Sequence, residues 1–148
     1  MGMRRRGREL AVQALYQIEL RGDDSLETLR LFWEHSDASP RAKEFAAALV
    51  AGVREQQQRI DELIAAASEH WRFERLPPVD LNILRVATYE LLQSPATPTS
   101  VVLDEAIEIA RRFGTADSPT FVNGVLDQIA TQLGVKPTPE ERRARDDG

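Results

Sequence analysis

Pro77-Pro-Val-Asp-Leu-Asn-Ile-Leu-Arg-Val-Ala-Thr-Tyr-Glu-Leu91 decides the fold of this chain. The two prolines lack backbone donors and stop any helix that precedes them. Beyond them Leu81, Ile83, Leu84, Ala87 and Leu91 occupy a broad apolar face, of the kind carried by a helix that several neighbours touch. The segment therefore predicts a central helix with other helices packed around it.

Downstream, Pro95 and Pro98 punctuate a loop, and Ser100 is placed to cap a helix bearing Val102, Ala106, Ile109, Ala110 and Phe113. Gly114 then suits a left-handed C-terminal cap. A last helix starts at Ser118-Pro119, carries Val122, Val125, Leu126, Ile129 and Leu133, and stops at Gly134. Gly124 lies inside it at a cost of about 1 kcal/mol relative to alanine, which reads as close approach of a neighbouring helix.

Upstream, Ser39-Pro40 supplies an N-cap and a first-turn proline for one long pattern through Phe45, Leu49, Val53, Ile60 and Ile64 to about Ser68. Trp71 and Phe73 fall in the connector after it. Asp24 with Glu27 resembles a capping box for a short helix carrying Leu26, Leu29, Phe32 and Trp33. The first helix takes its stripe from Leu10, Ala11, Ala14, Leu15 and Ile18 and ends near Gly22. No sustained alternation predicts a strand, and no period of 20 to 50 residues suggests a solenoid. The expected architecture is all-α, a single-domain bundle of about six or more helices.

Four arginines, Arg4, Arg5, Arg6 and Arg8, stand in the first eight residues with no acid among them. The whole chain of 148 residues has net charge -5, so the remainder carries -9. A basic arm over residues 1–8 on an acidic body binds a polyanion only locally. A helical domain is expected over 9–135, and a disordered charged tail over 136–148, where almost no large apolar group is available for burial.

No apolar run approaches the length of a membrane span, and no apolar segment follows the N-terminal charges as in a secretory signal. A cytoplasmic protein with no membrane association is expected. The absence of cysteine excludes disulfides and zinc-thiolate sites. Neither His35 nor His70 stands three residues after a glutamate, which removes the Glu-x-x-His ligand pair of di-iron bundles. Asp104, Glu105 and Glu108 read as a solvated helix face, and no phosphate-binding glycine motif or nucleophile elbow occurs. The sequence predicts no enzyme, no cofactor and no metal.

Nucleic-acid binding is better supplied with residues. At 100° per residue Tyr16 lies about 160° from Ile18 around the first helix, with Arg5, Glu9 and Gln13 near it. An outward ring there would stack an unpaired base while arginines hold phosphates, the division expected for single-stranded RNA. The other reading packs Tyr16 against a neighbouring helix with only its hydroxyl exposed. Phe121 is set about 100° off the apolar centre of the last helix, beside Ser118 and near Asn123.

Four blocks of the chain resemble the NusB family of bacterial transcription antitermination factors: Arg4-Arg-Arg-Gly-Arg-Glu-Leu-Ala-Val-Gln-Ala-Leu-Tyr-Gln17, Val79 to Leu91, Asp104-Glu-Ala-Ile-Glu-Ile-Ala110 and Phe121-Val-Asn-Gly-Val-Leu-Asp127. The resemblance implies two packed helical halves, binding of the boxA element of leader RNA in rRNA transcription, and pairing with the ribosomal protein NusE within an RNA polymerase antitermination complex. By position it assigns RNA contacts to Arg4, Arg5, Arg6, Arg8, Gln13, Tyr16, Asp117, Thr120, Phe121 and Asn123. Asp80 matches a partner-facing acidic position, with Glu74 and Arg75 near it. Thr120 replaces a common lysine and Asp104 a usual asparagine. The same module precedes a catalytic domain in RNA cytosine methyltransferases, but the chain stops before such a domain and a standalone factor is expected. The competing expectation is a helical protein-interaction module whose basic segment is incidental. The free state is left open between monomer and homodimer.

Overall fold

The computed structural model describes residues 2–23, 26–68, 71–93 and 96–136. Among them are seven α-helices: α1 Met3–Arg21, α2 Leu26–His35, α3 Pro40–Glu55, α4 Gln57–Ala67, α5 Pro78–Leu92, α6 Thr99–Phe113 and α7 Ser118–Leu133. A short 3₁₀ turn, Phe73–Arg75, leads into α5, and no strand occurs among the described residues. The all-α expectation holds.

α5 is the axis of the molecule. It packs against α1, α3, α4, α6 and α7, while α1 pairs with α3 and α6 with α7 on its flanks. Every residue from Asp80 to Thr88 is buried, so the broad apolar face read from the sequence extends around most of the helix. Of the polar groups swept inside, the Thr88 hydroxyl has no hydrogen-bond partner, while the charged ones are paired. Arg85 donates from Nε and Nη2 to Asp61 of α4 at 2.9 and 3.0 Å, and from Nη1 to Glu19 of α1 at 2.9 Å. One guanidinium thus fixes the angle of two helices to the axis.

Several boundaries differ from the sequence reading. The pattern from Pro40 to Ser68 is two helices, broken at Gln56, whose φ of -109° and ψ of 20° leave the helical region. An unbroken helix there would run about 42 Å at 1.5 Å per residue, against a radius of gyration of roughly 15 Å for a domain of this size. The break turns Ile60 and Ile64, both 0% exposed, back into the core. At the start of α3 Ser39 caps as expected, its Oγ accepting from the Ala42 N–H at 3.2 Å.

Ser100 and Ser118 do not cap their helices. α6 begins one residue earlier at Thr99, and Ser118 is the first residue of α7, with its hydroxyl directed elsewhere. Gly22 and Gly134 adopt the left-handed conformation, with φ of 66° and 72°, but Gly114 does not: its φ is -93° and its ψ -164°. Gly124 also departs from expectation. It faces open space with no atom within 4 Å of a would-be Cβ, so helix approach does not account for it. The capping box at Asp24 and most of the C-terminal tail lie outside the described residues.

Candidate nucleic-acid interface

The arginine segment does not stand apart from the body. Met3 to Arg8 are the first turns of α1, because arginine is a good helix former and three of the four find carboxylates on elements packed alongside. Arg5 donates from Nε and Nη2 to Glu105 of α6 at 2.8 and 2.9 Å, which holds the Glu105 carboxyl below its ordinary value. Arg6 reaches Asp37 at 3.4 Å and Glu9 at 3.7 Å, both long. Arg4 is exposed and lies 5.8 Å from the centre of the Phe45 ring.

Arg8 corrects the expected phosphate contact. Its side chain is 5% exposed and forms a two-pronged pair with Glu90 of α5, itself 7% exposed, at 2.8 and 3.0 Å. A guanidinium so engaged ties α1 to the axis and is not presented to a ligand. Its neighbour Glu9 is likewise buried and takes Arg112, at the C-terminal end of α6, at 3.1 and 3.2 Å. These pairs place the outward side of α1 along α6, with Tyr16 two turns beyond Glu9. Tyr16 and Gln13 are each half-buried, between the two readings of Tyr16 drawn from the sequence.

The second group of residues sits at the start of α7. Asp117, Thr120 and Asn123 are exposed, and Phe121 is half-buried against the core. Sequence reasoning missed the partner of Phe121. Trp71, 58% exposed in the connector before α5, meets it edge to face with ring centres 6.1 Å apart at 72°. A large aromatic beside Arg72 in a proline-bounded connector was the available signal, since such rings favour positions with one wet side.

Asp80 holds this group in place. The expectation put it on a partner-facing surface, but the residue is 5% exposed and accepts the Ser118 hydroxyl at 2.7 Å. Ser118 also accepts the Thr115 N–H at 2.9 Å, so a single hydroxyl links α5, the loop after α6 and the first turn of α7. Glu74 and Arg75, in the 3₁₀ turn, are exposed. Burial pushes the Asp80 carboxyl above its ordinary value, and the Ser118 hydrogen bond offsets this only in part. An acid whose pKa is raised by folding is more easily accommodated protonated. Its contribution to stability is complete below the carboxylate range and falls as pH rises through it. Asp80→Asn, which keeps an oxygen for Ser118 without the charge, should therefore gain on the unaltered protein as pH rises from acid to neutral. Paired denaturation midpoints measure this, and a pH-independent difference would contradict it.

Comparison with known proteins identifies the family. A profile of the NusB family matches residues 5–131. The Transcription antitermination protein NusB of Sorangium cellulosum is 43% identical over 134 residues, which cover 90% of this chain and 96% of that protein. The protein of the same name from Geobacter sulfurreducens is 47% identical over 134 residues, covering 90% and 97%. Among solved structures, T. maritima NusB superposes with a TM-score of 0.78 at 42% identity over 95% of this chain and 96% of that one. A chain from a crystal structure of the antitermination factors NusB and NusE in complex with dsRNA superposes with a TM-score of 0.79 at 27% identity, over 89% and 98%. With the profile spanning α1 to α7 and the relatives matched over nearly their full length, the chain belongs to the NusB family.

Proposed function

We propose that this chain is a transcription antitermination factor that binds boxA-type leader RNA together with NusE during rRNA transcription, in the cytoplasm and without catalysing a reaction. The observation that carries the reading is family membership with a fold shared with a NusB chain described in complex with NusE and RNA. The geometry adds to it. Arg4, Arg5 and Arg6 supply positive charge at the exposed end of α1, and Tyr16 and Phe121 are rings with solvent access on elements joined through α6. Asp117, Thr120 and Asn123 provide polar contacts around Phe121, and Gln13 extends the surface along α1.

Glu74 and Arg75 are the exposed candidates for the NusE contact, while the buried Asp80 acts through Ser118 as a support for the start of α7. The RNA of that relative is described as double-stranded. Here the rings favour unpaired bases, because stacking needs a free base face.

The test is binding of a boxA-like single-stranded fragment, and of its duplex, with and without NusE. Three phosphate contacts, from the exposed Arg4 and Arg5 and the half-buried Arg6, predict a slope of log K against log salt of roughly -2, at about -0.7 per contact for single strands. Phe121→Ala and Tyr16→Ala should each weaken binding by about 1–3 kcal/mol if each ring stacks a base. The ion pairs made by Arg5 and Arg6 favour the second reading, a protein-interaction module without RNA binding. Capture of NusE by a protein that retards no RNA, with a flat salt response, would establish that alternative.

A further inference from the structure

We propose that the groove between α1 and α2 takes one nucleotide of the bound RNA strand, with the base against Leu31 and Phe32, its edge within reach of Gln13 and Gln17, and a neighbouring phosphate at Arg21. The inference rests on the RNA reading above and extends it from Arg6 and Gln13 to Gln17, Arg21 and the facing side of α2, which that reading does not use. The groove encloses about 600 Å³, within the usual range of small-ligand sites.

The groove is built from a regular feature of α1. Arg6, Gln13, Gln17 and Arg21 recur at intervals of four or seven, which confines them to one narrow face of a helix turning 100° per residue. All four line the groove, so long polar side chains form one wall over most of the helix. The opposite wall is α2, which buries none of its residues. It rests on the body through the half-buried Leu29, Phe32 and Trp33 and leaves Leu31 41% exposed. An apolar surface faced by two carboxamides is suited to a base, because a carboxamide offers both donor and acceptor to a base edge.

Charge favours a nucleotide over an apolar peptide. Arg6 and Arg21 stand toward the two ends of the groove, and Asp37 is the one acid among the described residues that line it. Asp37 has a side chain 96% exposed and meets Arg6 only at 3.4 Å, a contact readily exchanged for a phosphate. His35 supplies a further polar atom. Its Nδ1 lies 2.8 Å from the Leu31 carbonyl, which can only accept, so Nδ1 carries the proton and Nε2 is left for a ligand. Gln13 belongs both to this groove and to the surface assigned above, which makes the groove a continuation of that track.

The groove also answers a question the arginines leave open. Contacts to phosphate give grip without sequence preference, and preference requires contact with base edges. The experiment measures binding of single-stranded RNAs of about ten nucleotides, each base varied in turn, to the unaltered protein and to Gln17→Ala, Arg21→Ala and Phe121→Ala. Alanine at the two exposed-face positions of α1 keeps the helix, being its best former.

The unaltered protein should discriminate about fivefold between bases at one position, the worth of a hydrogen bond, and Gln17→Ala should abolish that preference alone. Arg21→Ala should weaken all sequences alike and reduce the salt slope by about 0.7. If both variants match the unaltered protein while Phe121→Ala still weakens binding, the groove is overturned and the RNA reading stands. A loss in Arg21→Ala with base preference intact in Gln17→Ala overturns the base pocket, leaving a phosphate contact. No binding by the unaltered protein removes both.

Discussion

Arg8→Met is expected to destabilise the protein by about 3–5 kcal/mol, the cost of leaving one member of a buried ion pair without its partner. Glu90, 7% exposed, would be left in the core with neither of the two hydrogen bonds it now accepts at 2.8 and 3.0 Å. Methionine matches arginine in helix propensity and keeps an unbranched apolar stem, so little of the loss can come from the backbone. Urea unfolding followed by circular dichroism gives the number. The double variant Arg8→Met, Glu90→Leu should recover most of it, because two apolar side chains fill the site without a stranded charge. Arg5→Met is the control: its pair with Glu105 lies at the surface and water replaces what is lost. Equal effects at positions 5 and 8 would show that Arg8 is an ordinary member of a basic arm.

The second large effect is expected at Gly114, which is small for a reason other than its dihedral angles. A Cβ there would stand 2.5 Å from Ser118 Cβ and 2.8 Å from the Ala110 carbonyl oxygen. Neither neighbour can rotate away, since one is fixed to the backbone and the other is backbone. Gly114→Ala should cost about 1–3 kcal/mol, as overpacking does, and should draw Ser118 off Asp80. RNA affinity should fall with it, because Phe121 is carried on the first turn that Ser118 anchors. Gly114→Asn separates the two accounts of this glycine. Asparagine tolerates a left-handed cap, so a cap would accept it at little loss, whereas crowding by Ser118 makes it at least as harmful as alanine. Thermal midpoints of both variants decide the point.

These two positions show where a linear reading stops. The arginine run was legible as charge, and the helix after it as a stripe, but nothing in the order of residues says that Glu90 would meet Arg8 across 82 positions. The sequence therefore treats the four arginines as equivalent, and folding makes them unequal: Arg8 inside, Arg5 and Arg6 paired at the surface, Arg4 over a ring. Gly114 was read by the commonest use of glycine after a helix, a local rule, when its neighbour is supplied by the turn into α7. The split at Gln56 escaped for a similar reason. Apolar spacing continues through it in phase, and only the dimensions of the body require the bend.

The candidate site divides in the same way. Tyr16 and Phe121 stand out as candidates in the sequence because each falls off the apolar centre of its helix, a property of spacing. Trp71 was passed over because a connector has no period from which a residue can depart, and its role beside Phe121 exists only once α4 and α7 are packed.

By itself the sequence determined the helical class, the central place of the segment after Pro77 and the family to which the four blocks point, since all of these follow from local propensity, periodicity and residue order. Tertiary structure alone decided which charges are buried, which glycines are crowded and where a groove opens between α1 and α2. Those depend on distances between residues far apart in the chain, and such distances are set by packing around α5.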